Sequence, residues 1–307
     1  MNRLILYIII HVIGVATAIA QIKTEEIVIY NNNIELPGTL SFTKENTPLI
    51  IWIHGSGNVD RNGNQQPFIK ANYIKQFRDS VNKYGVSFYS FDKRTANKKN
   101  IKSLKKGVLF EDYIADVQET ILHFKKDTRF AKIVLIGHSQ GSLIAMLNHT
   151  NASKIVSLAG PSMSADKTII TQIQEKAPYL DSITKAHFKE LANTGSIQNV
   201  NLMLQSIFRK ENQPFLSSWI KYNPSKEIQK ITIPVLIVNG DNDLQVKVSD
   251  AQKLHASNKN SELLIIPKMN HVLKEVNSVT ENQNSYTKPD FPLSSKLIQH
   301  IVKFVNQ

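Results

Sequence analysis

The pentapeptide Gly137-His138-Ser139-Gln140-Gly141 holds the residues of this chain best placed to do chemistry. It follows the β-rich run Lys132-Ile133-Val134-Leu135-Ile136 and precedes Ser142-Leu143-Ile144-Ala145-Met146-Leu147-Asn148-His149, which reads as a helix. A serine at a sharp strand-to-helix turn takes a strained backbone conformation that holds its hydroxyl clear. The neighbours two positions either side must then lack a Cβ. Gly137 and Gly141 meet that need, so the segment reads as a nucleophile elbow rather than an ordinary glycine-bracketed turn.

A serine hydroxyl is a weak nucleophile near neutral pH. It needs a base to take its proton and a third group to orient that base. On an elbow of this kind the chain order is serine, acid, histidine, each at the carboxyl end of a strand. The strand expected at 235–238 leads into Asn239-Gly240-Asp241-Asn242-Asp243-Leu244-Gln245-Val246, where two aspartates compete. Gly240 turns the chain off the strand. The spacing Gly-x-x-Asp-x-x-Val usual in hydrolases selects Asp243 and leaves Asp241 to bond loop amides.

His271, in Met269-Asn270-His271-Val272-Leu273, lies just beyond the strand expected at 263–266 and is the candidate base, whereas His255 and His300 fall within expected helices. His138 adjoins the serine but faces away from its reactive side, which assigns it to packing. Acyl transfer also needs amides that receive the developing oxyanion. Gln140 supplies one, and the loop His54-Gly55-Ser56-Gly57 supplies the other, with Ser56 the first choice and Gly57 the second. The Ser56 amide, not its hydroxyl, is the group of interest. Such chemistry calls for no metal and no organic cofactor.

The elements that must position these groups follow from periodicity. Runs at 26–30 and 34–42, joined at Asn31, Asn32 and Asn33, read as an antiparallel hairpin. From Pro48 onward, strands at 49–53, 86–91, 133–136, 155–158, 235–238 and 263–266 alternate with helices at 68–82, 111–126, 142–149, 249–256 and 293–305. That cadence predicts a mostly parallel, doubly wound α/β sheet in one domain over 21–307. The interval 161–230 breaks it and is rich in helical spacing, which predicts an inserted helical lid. Its apolar residues, Leu216, Trp219 and Ile220 among them, either line an acyl pocket or form the core of a small helical subdomain.

With 41% apolar and 20% charged residues over 307 positions, the chain is of globular composition. Residues 1–20 carry Arg3, an apolar stretch from Leu4 and the ending Ala18-Ile19-Ala20, a secretory signal peptide pattern; an uncleaved membrane anchor is the alternative. Cysteine is absent, which removes disulfide and thiolate chemistry and a lipid-modified cysteine. A periplasmic or secreted bacterial location is expected, with no stable membrane insertion once the signal is cleaved.

The net charge is +12, and much of it sits in Lys93, Arg94, Lys98, Lys99, Lys102, Lys105 and Lys106. This run reads as a solvated, self-repelling surface loop, or else as a site for anionic surfaces or substrates. No recognition motif accompanies the charge, so no nucleic-acid partner is expected. Oligomeric state is not legible.

With elbow, oxyanion loop, acid and base in order, the chain resembles the α/β-hydrolase superfamily over nearly all of 21–307. The phrases "HGSGNVDRNGN", "SFDKR", "SLAGPSMSADKTIITQ", "VNGDNDLQVKVSDAQKL" and "MNHVLK" resemble a group of bacterial serine carboxylesterases related to the serine aminopeptidase-like (S33-type) hydrolases. The resemblance implies a triad of Ser139, Asp243 and His271 and a small-molecule ester of short to medium acyl chain as substrate. It also implies that Asp60 and Arg61, matching an Asp-Arg motif, form an ion pair bracing the oxyanion loop, unless they are merely exposed. After Asp92-Lys93-Arg94 this chain departs from the group's glycines into Thr95-Ala96-Asn97, so substrate entry there differs.

Two other functions share these residues. A peptidase or amidase of the aminopeptidase-like type could use the same triad, although 161–230 carries six acids against nine lysines and arginines and so has no acidic excess to hold a substrate amine. A catalytically inactive binding protein on the same scaffold is the third reading.

Overall fold

The computed structural model describes residues 21–307; the signal peptide or anchor expected at 1–20 lies outside them. The chain opens with a hairpin of β1 (Lys23–Asn31) and β2 (Ile34–Phe42), turned through Asn32 in the left-handed region at φ 53°. Next come β3 (Thr47–Ile53), a two-stranded ribbon of β4 (Asn64–Gln65) and β5 (Ile69–Lys70), α1 (Tyr73–Asn82) and β6 (Ser87–Phe91). The middle of the chain runs α2 (Phe110–Phe124), β7 (Phe130–His138), α3 (Gln140–Leu147) and β8 (Lys154–Leu158).

A helical insertion of α4 (Ala165–Lys176), α5 (Asp181–Thr194), α6 (Gln205–Phe208), α7 (Gln213–Trp219) and α8 (Pro224–Ile228) follows. The chain then returns through β9 (Val235–Gly240), α9 (Val248–Ser257), β10 (Glu262–Ile266), α10 (Val279–Asn284) and α11 (Ser295–Asn306).

Eight strands form one sheet in the order β1-β2-β6-β3-β7-β8-β9-β10. The β1–β2 and β2–β6 pairs are antiparallel, and every later pair is parallel. Parallel central strands are covered on both faces, so they read as unbroken apolar runs whose side chains alternate between two cores. Leu49, Ile51, Ile53, Ile133 and Leu135 enter one core with the α2 face Phe110, Val117, Ile121 and Phe124. Ile50, Trp52, Val134 and Ile136 enter the other with Phe77 and Val81 of α1 and Leu297, Ile301 and Phe304 of α11.

Three local departures from the sequence expectation have physical causes. The helix expected at 68–82 begins only at Tyr73, because Asn72 sits in the left-handed region at φ 47°. Asn64 pins it there: the Asn64 side-chain amide donates to Asn72 Oδ1 at 2.7 Å, and the Asn72 amide donates to Asn64 Oδ1 at 3.0 Å. A short helix, α10, was not expected; Ser278 caps it by accepting from the Glu281 amide at 3.1 Å.

The basic run is not one solvated loop. Lys93 and Arg94 at its start are 4% and 5% exposed, while Lys98, Lys99, Lys102, Lys105 and Lys106 are all exposed. Arg94 donates to both carboxylate oxygens of Asp116 on α2, each at 2.7 Å, and Asn31 donates to Asp116 Oδ1 at 2.9 Å.

The insertion has its own apolar core, with Phe188, Leu191, Leu204 and Phe208 at its centre. Its two ends are clamped together at Ser162. The Ser225 hydroxyl donates to the Ser162 carbonyl at 2.8 Å, and the Ser162 amide and hydroxyl both donate to Asp250 Oδ1 on α9, at 2.9 and 2.6 Å.

Removing one partner of a buried ion pair leaves an uncompensated charge, at a cost of about 3–5 kcal/mol. Asp116→Ala takes two bonds from Arg94 but leaves it the Asp112 carboxylate at 3.1 Å, so the loss in unfolding free energy is expected to stay below that full cost, at about 1–3 kcal/mol in urea titrations. Lys75→Ala, which breaks an exposed pair with Asp79, should change it by less than about 0.5 kcal/mol.

Candidate active site

Ser139 occupies the turn between β7 and α3 with φ 54° and ψ −121°, a conformation that L residues rarely adopt. The turn is held by the Ser139 amide, which donates to the Leu158 carbonyl of β8 at 2.9 Å. No room exists for side chains beside it: a Cβ on Gly137 would strike the Gly141 backbone, and one on Gly141 would strike the Ile53 carbonyl of β3. The elbow therefore presses backbone on backbone against the neighbouring strand. A Cβ on Gly55 would come within 3.1 Å of the Ser139 Cβ, which places the oxyanion loop directly against the serine.

Asp243 and His271 arrive on loops leaving β9 and β10. His271 Nδ1 donates to Asp243 Oδ2 at 2.8 Å, and the Asp243 side chain is fully buried. Asp243 Oδ1 accepts from the amides of Gln245 at 2.8 Å and Val246 at 2.9 Å. Burial alone would raise this carboxyl's pKa. The His271 ring and the two amides outweigh it and hold the group below the ordinary aspartate value. Asp243 is thus an ionised acceptor with all its bonds made. Asp241 does bond a loop amide, that of Lys268, at 2.6 Å.

With Nδ1 committed to Asp243, His271 has Nε2 available to a cavity of about 360 Å³ that it lines together with Ser139, Ser56 and Gln140. Trp219 and Ile169 of the insertion supply part of the apolar wall. Leu216 sits in the insertion core and also lines a neighbouring cavity, and Ile220 packs against that core. A second cavity of about 630 Å³ adjoins the first, sharing Ser56, Gln140 and Trp219.

His138 lies behind the serine in the core, its ring stacked on Trp52. Its Nε2 bonds the His271 carbonyl at 2.8 Å; a carbonyl only accepts, so Nε2 carries the proton and Nδ1 receives the Tyr73 hydroxyl at 3.4 Å. Burial, with the His271 ring nearby, lowers the His138 pKa to about 3. It is a neutral tether for the backbone of His271.

A second tether crosses the two loops. Asn282 of α10 donates to the Asn242 carbonyl at 2.9 Å and accepts from the Asn270 side chain at 3.0 Å, fastening the segment before Asp243 to the one before His271. Gly240 allows their close approach, since a Cβ there would collide with the Met269 carbonyl.

Asp60 and Arg61 do not pair with each other as anticipated. Asp60 Oδ1 accepts from the amides of Asn62 and Asn64, each at 2.9 Å. Arg61 forms a fork with Asp92, Nε to Oδ1 and Nη2 to Oδ2 both at 3.0 Å, and also meets Glu26. The loop is braced, but by two separate devices.

Lys93, the first residue of the basic run, has its ammonium buried behind the oxyanion loop. Nζ donates to the Gly55 carbonyl at 2.8 Å and to Gln140 Oε1 at 3.3 Å, and lies 4.2 Å from the Tyr113 ring centre. Burial lowers its pKa to about 7, against the opposing pull of Asp116. His54 beside it is lowered to about 3, by burial first and then by the Lys93 charge. Among the described residues there is no group of three or more His, Cys, Asp and Glu side chains that could hold a metal, and no helix is long and apolar enough to cross a membrane.

Comparison with known proteins agrees with this architecture. Residues 38–257 match the BD-FAE family. Esterase EstD of Thermotoga maritima is 22% identical over 255 residues, 78% of this chain; the chain spans 58% of the length of that relative. Among solved structures, Est1E from Butyrivibrio proteoclasticus superposes with a TM-score of 0.55 at 18% identity, covering 92% of this chain and 96% of that one. The Pyrococcus furiosus esterase Pf2001 gives a TM-score of 0.58 at 16% identity, covering 93% and 91%. The fold is that of the α/β-hydrolases.

Overpacking a tight site costs about 1–3 kcal/mol. Gly141→Ala should destabilise the protein by at least that amount in thermal or chemical unfolding, because backbone of β3 cannot retreat from the new methyl group. Gly195→Ala should cost less: Gly195 has a positive φ of 78° but open space around it.

Proposed function

The chain belongs to the BD-FAE family, and from that premise we propose that it is a serine hydrolase cleaving carboxylic esters of short to medium acyl chain through an acyl-enzyme on Ser139. The observation that carries this reading is the 2.8 Å bond from His271 Nδ1 to a buried Asp243, which leaves Nε2 to a cavity shared with the strained Ser139. Names borne by relatives point the same way, EstD and Pf2001 being called esterases.

In the proposed cycle His271 Nε2 takes the proton from Ser139 Oγ as that oxygen attacks the ester carbonyl. The Asp243 carboxylate fixes the tautomer of the imidazole and stabilises the imidazolium. Charge moves onto the carbonyl oxygen, which the amides of Gln140 and Ser56 receive. Gln140 is the first residue of α3, where the amide lacks an intrahelical acceptor and the helix dipole favours an anion. Collapse breaks the bond to the alcohol, which leaves with the proton from His271. Water, deprotonated by the same nitrogen, then releases the carboxylic acid and restores the serine.

The helical insertion acts in this reading as a lid whose Trp219 and Ile169 shape the acyl side of the cavity. The leader-like pattern at 1–20 supports export to the periplasm or beyond. Fractionation of a tagged full-length chain tests that; retention of the whole product in the cytoplasm would refute it.

Ser139→Ala is expected to lower hydrolysis of p-nitrophenyl esters by about 10⁴-fold or more and to abolish labelling by a fluorophosphonate, with folding unchanged. Asp243→Asn should retain labelling at a much reduced rate, with kcat down about 10⁴-fold. Unaltered ester turnover in Ser139→Ala would overturn the assignment. Turnover of aminoacyl anilides in preference to esters would shift it to an amidase.

A further inference from the structure

We propose that Lys93 is a positioning residue for the oxyanion site, its buried ammonium fixing both of the elements that present amides to the cavity. The inference rests on the esterase reading above and assigns a function to a residue that composition places in a solvated loop.

The geometry is that of one peptide plane and one side chain. The Gly55 carbonyl and the Ser56 N–H belong to the same trans peptide unit, so they point in opposite directions across a rigid plane. Lys93 Nζ holds the Gly55 oxygen at 2.8 Å from behind. That bond fixes the rotation of the plane, and with it the direction of the Ser56 N–H on the other side. While protonated, Lys93 also polarises the peptide, because a charged donor on the carbonyl strengthens the hydrogen bond its N–H can give.

The same ammonium reaches Gln140 Oε1 at 3.3 Å, and Gln140 carries the second amide. One cation therefore ties the loop after β3 to the first residue of α3, the two parts between which the substrate oxygen must sit. The Tyr113 ring, 4.2 Å away, closes a third side.

Nothing else among the described residues accounts for burying this amine. Lys93 has no carboxylate within ion-pairing distance among the described residues; Asp116, whose charge favours its protonated form, is committed to Arg94. An ammonium carried into the interior only for packing would be replaced without loss by methionine, which has similar length and no charge. Placed as it is, the ammonium stabilises an orientation that the neutral loop Gly55-Ser56-Gly57, with its small side chains, could not hold alone.

The test compares full-length wild type, Lys93→Met and Lys93→Arg with p-nitrophenyl butyrate as substrate and an alkyl trifluoromethyl ketone as inhibitor. The ketone adds Ser139 Oγ to its carbonyl and places an alkoxide where the oxyanion forms. Lys93→Met should lower kcat by about 10- to 100-fold, less than the loss of a whole oxyanion donor, with KM changed less than about 3-fold. The inhibition constant of the ketone should rise by the same factor as kcat/KM falls.

If Lys93→Met does not fold by circular dichroism, Lys93→Arg carries the comparison, since its wider planar head keeps the charge but cannot reproduce the bond to Gly55; the same parallel fall is expected. Wild-type kcat in a folded variant overturns the proposal, and so does a fall in kcat with ketone affinity unchanged. If wild type itself turns over no ester, the esterase reading fails, and ketone affinity in the variants still decides the role of Lys93.

Discussion

The backbone contact between the elbow and the neighbouring strand is the constraint on which the rest of the structure depends. Ser139 can hold φ 54° only because the turn is clamped between β3 and β8: Gly141 against the Ile53 carbonyl on one side, the Ser139 amide on the Leu158 carbonyl on the other. Such a conformation costs of order 1–3 kcal/mol and persists where its surroundings over-determine it. Two cores, one on each face of the sheet, hold β3, β7 and β8 in that register. The strain at one serine is therefore sustained by the packing of the entire sheet.

The electrostatic design separates groups by what they must do. Asp243 is buried yet ionised, because its three hydrogen bonds compensate its charge. His138 and His54 are buried and neutral, because burial opposes their protonation. The charges in the interior thus sit where a bond uses them. Each loop of the candidate site is fastened at a second point: Asn282 joins the loops of Asp243 and His271, His138 holds the carbonyl of His271, and Arg61 with Asp92 braces the segment after Gly55-Ser56-Gly57.

Much of this was legible in the sequence because it is local. Alternating apolar runs revealed the strands, and the glycines flanking Ser139 revealed the turn. Chain order picked out His271 and the loop of the acid, and the Gly-x-x-Asp-x-x-Val spacing chose Asp243 over Asp241; the fold brings Asp243 and His271 to a shared hydrogen bond. What escaped was non-local or was hidden by averaging. His138 and His271 lie far apart in the chain, and nothing near either one announces their bond. Lys93 and Arg94 were read with five solvated lysines as one basic loop, but burial is decided residue by residue. The end of β6 delivers these two into the interior, where Asp116 on α2 and the Gly55 carbonyl await them. The start of α1 was misplaced because an asparagine pair fixed Asn72 in a conformation that helical periodicity cannot register.

The clamp at Ser162 has a consequence for how such a protein can change. The helical insertion leaves and rejoins the sheet through a neck stitched to itself and to Asp250, and it keeps an apolar centre of its own while Phe215 and Trp219 also pack on Phe110 of α2. Change confined to the insertion's own apolar centre would leave the surroundings of Ser139, Asp243 and His271 in place, whereas change at Trp219 would reach both the cavity wall and α2. The insertion is thereby divided into a centre free to diverge at a pace of its own and a seam that must keep step with the sheet.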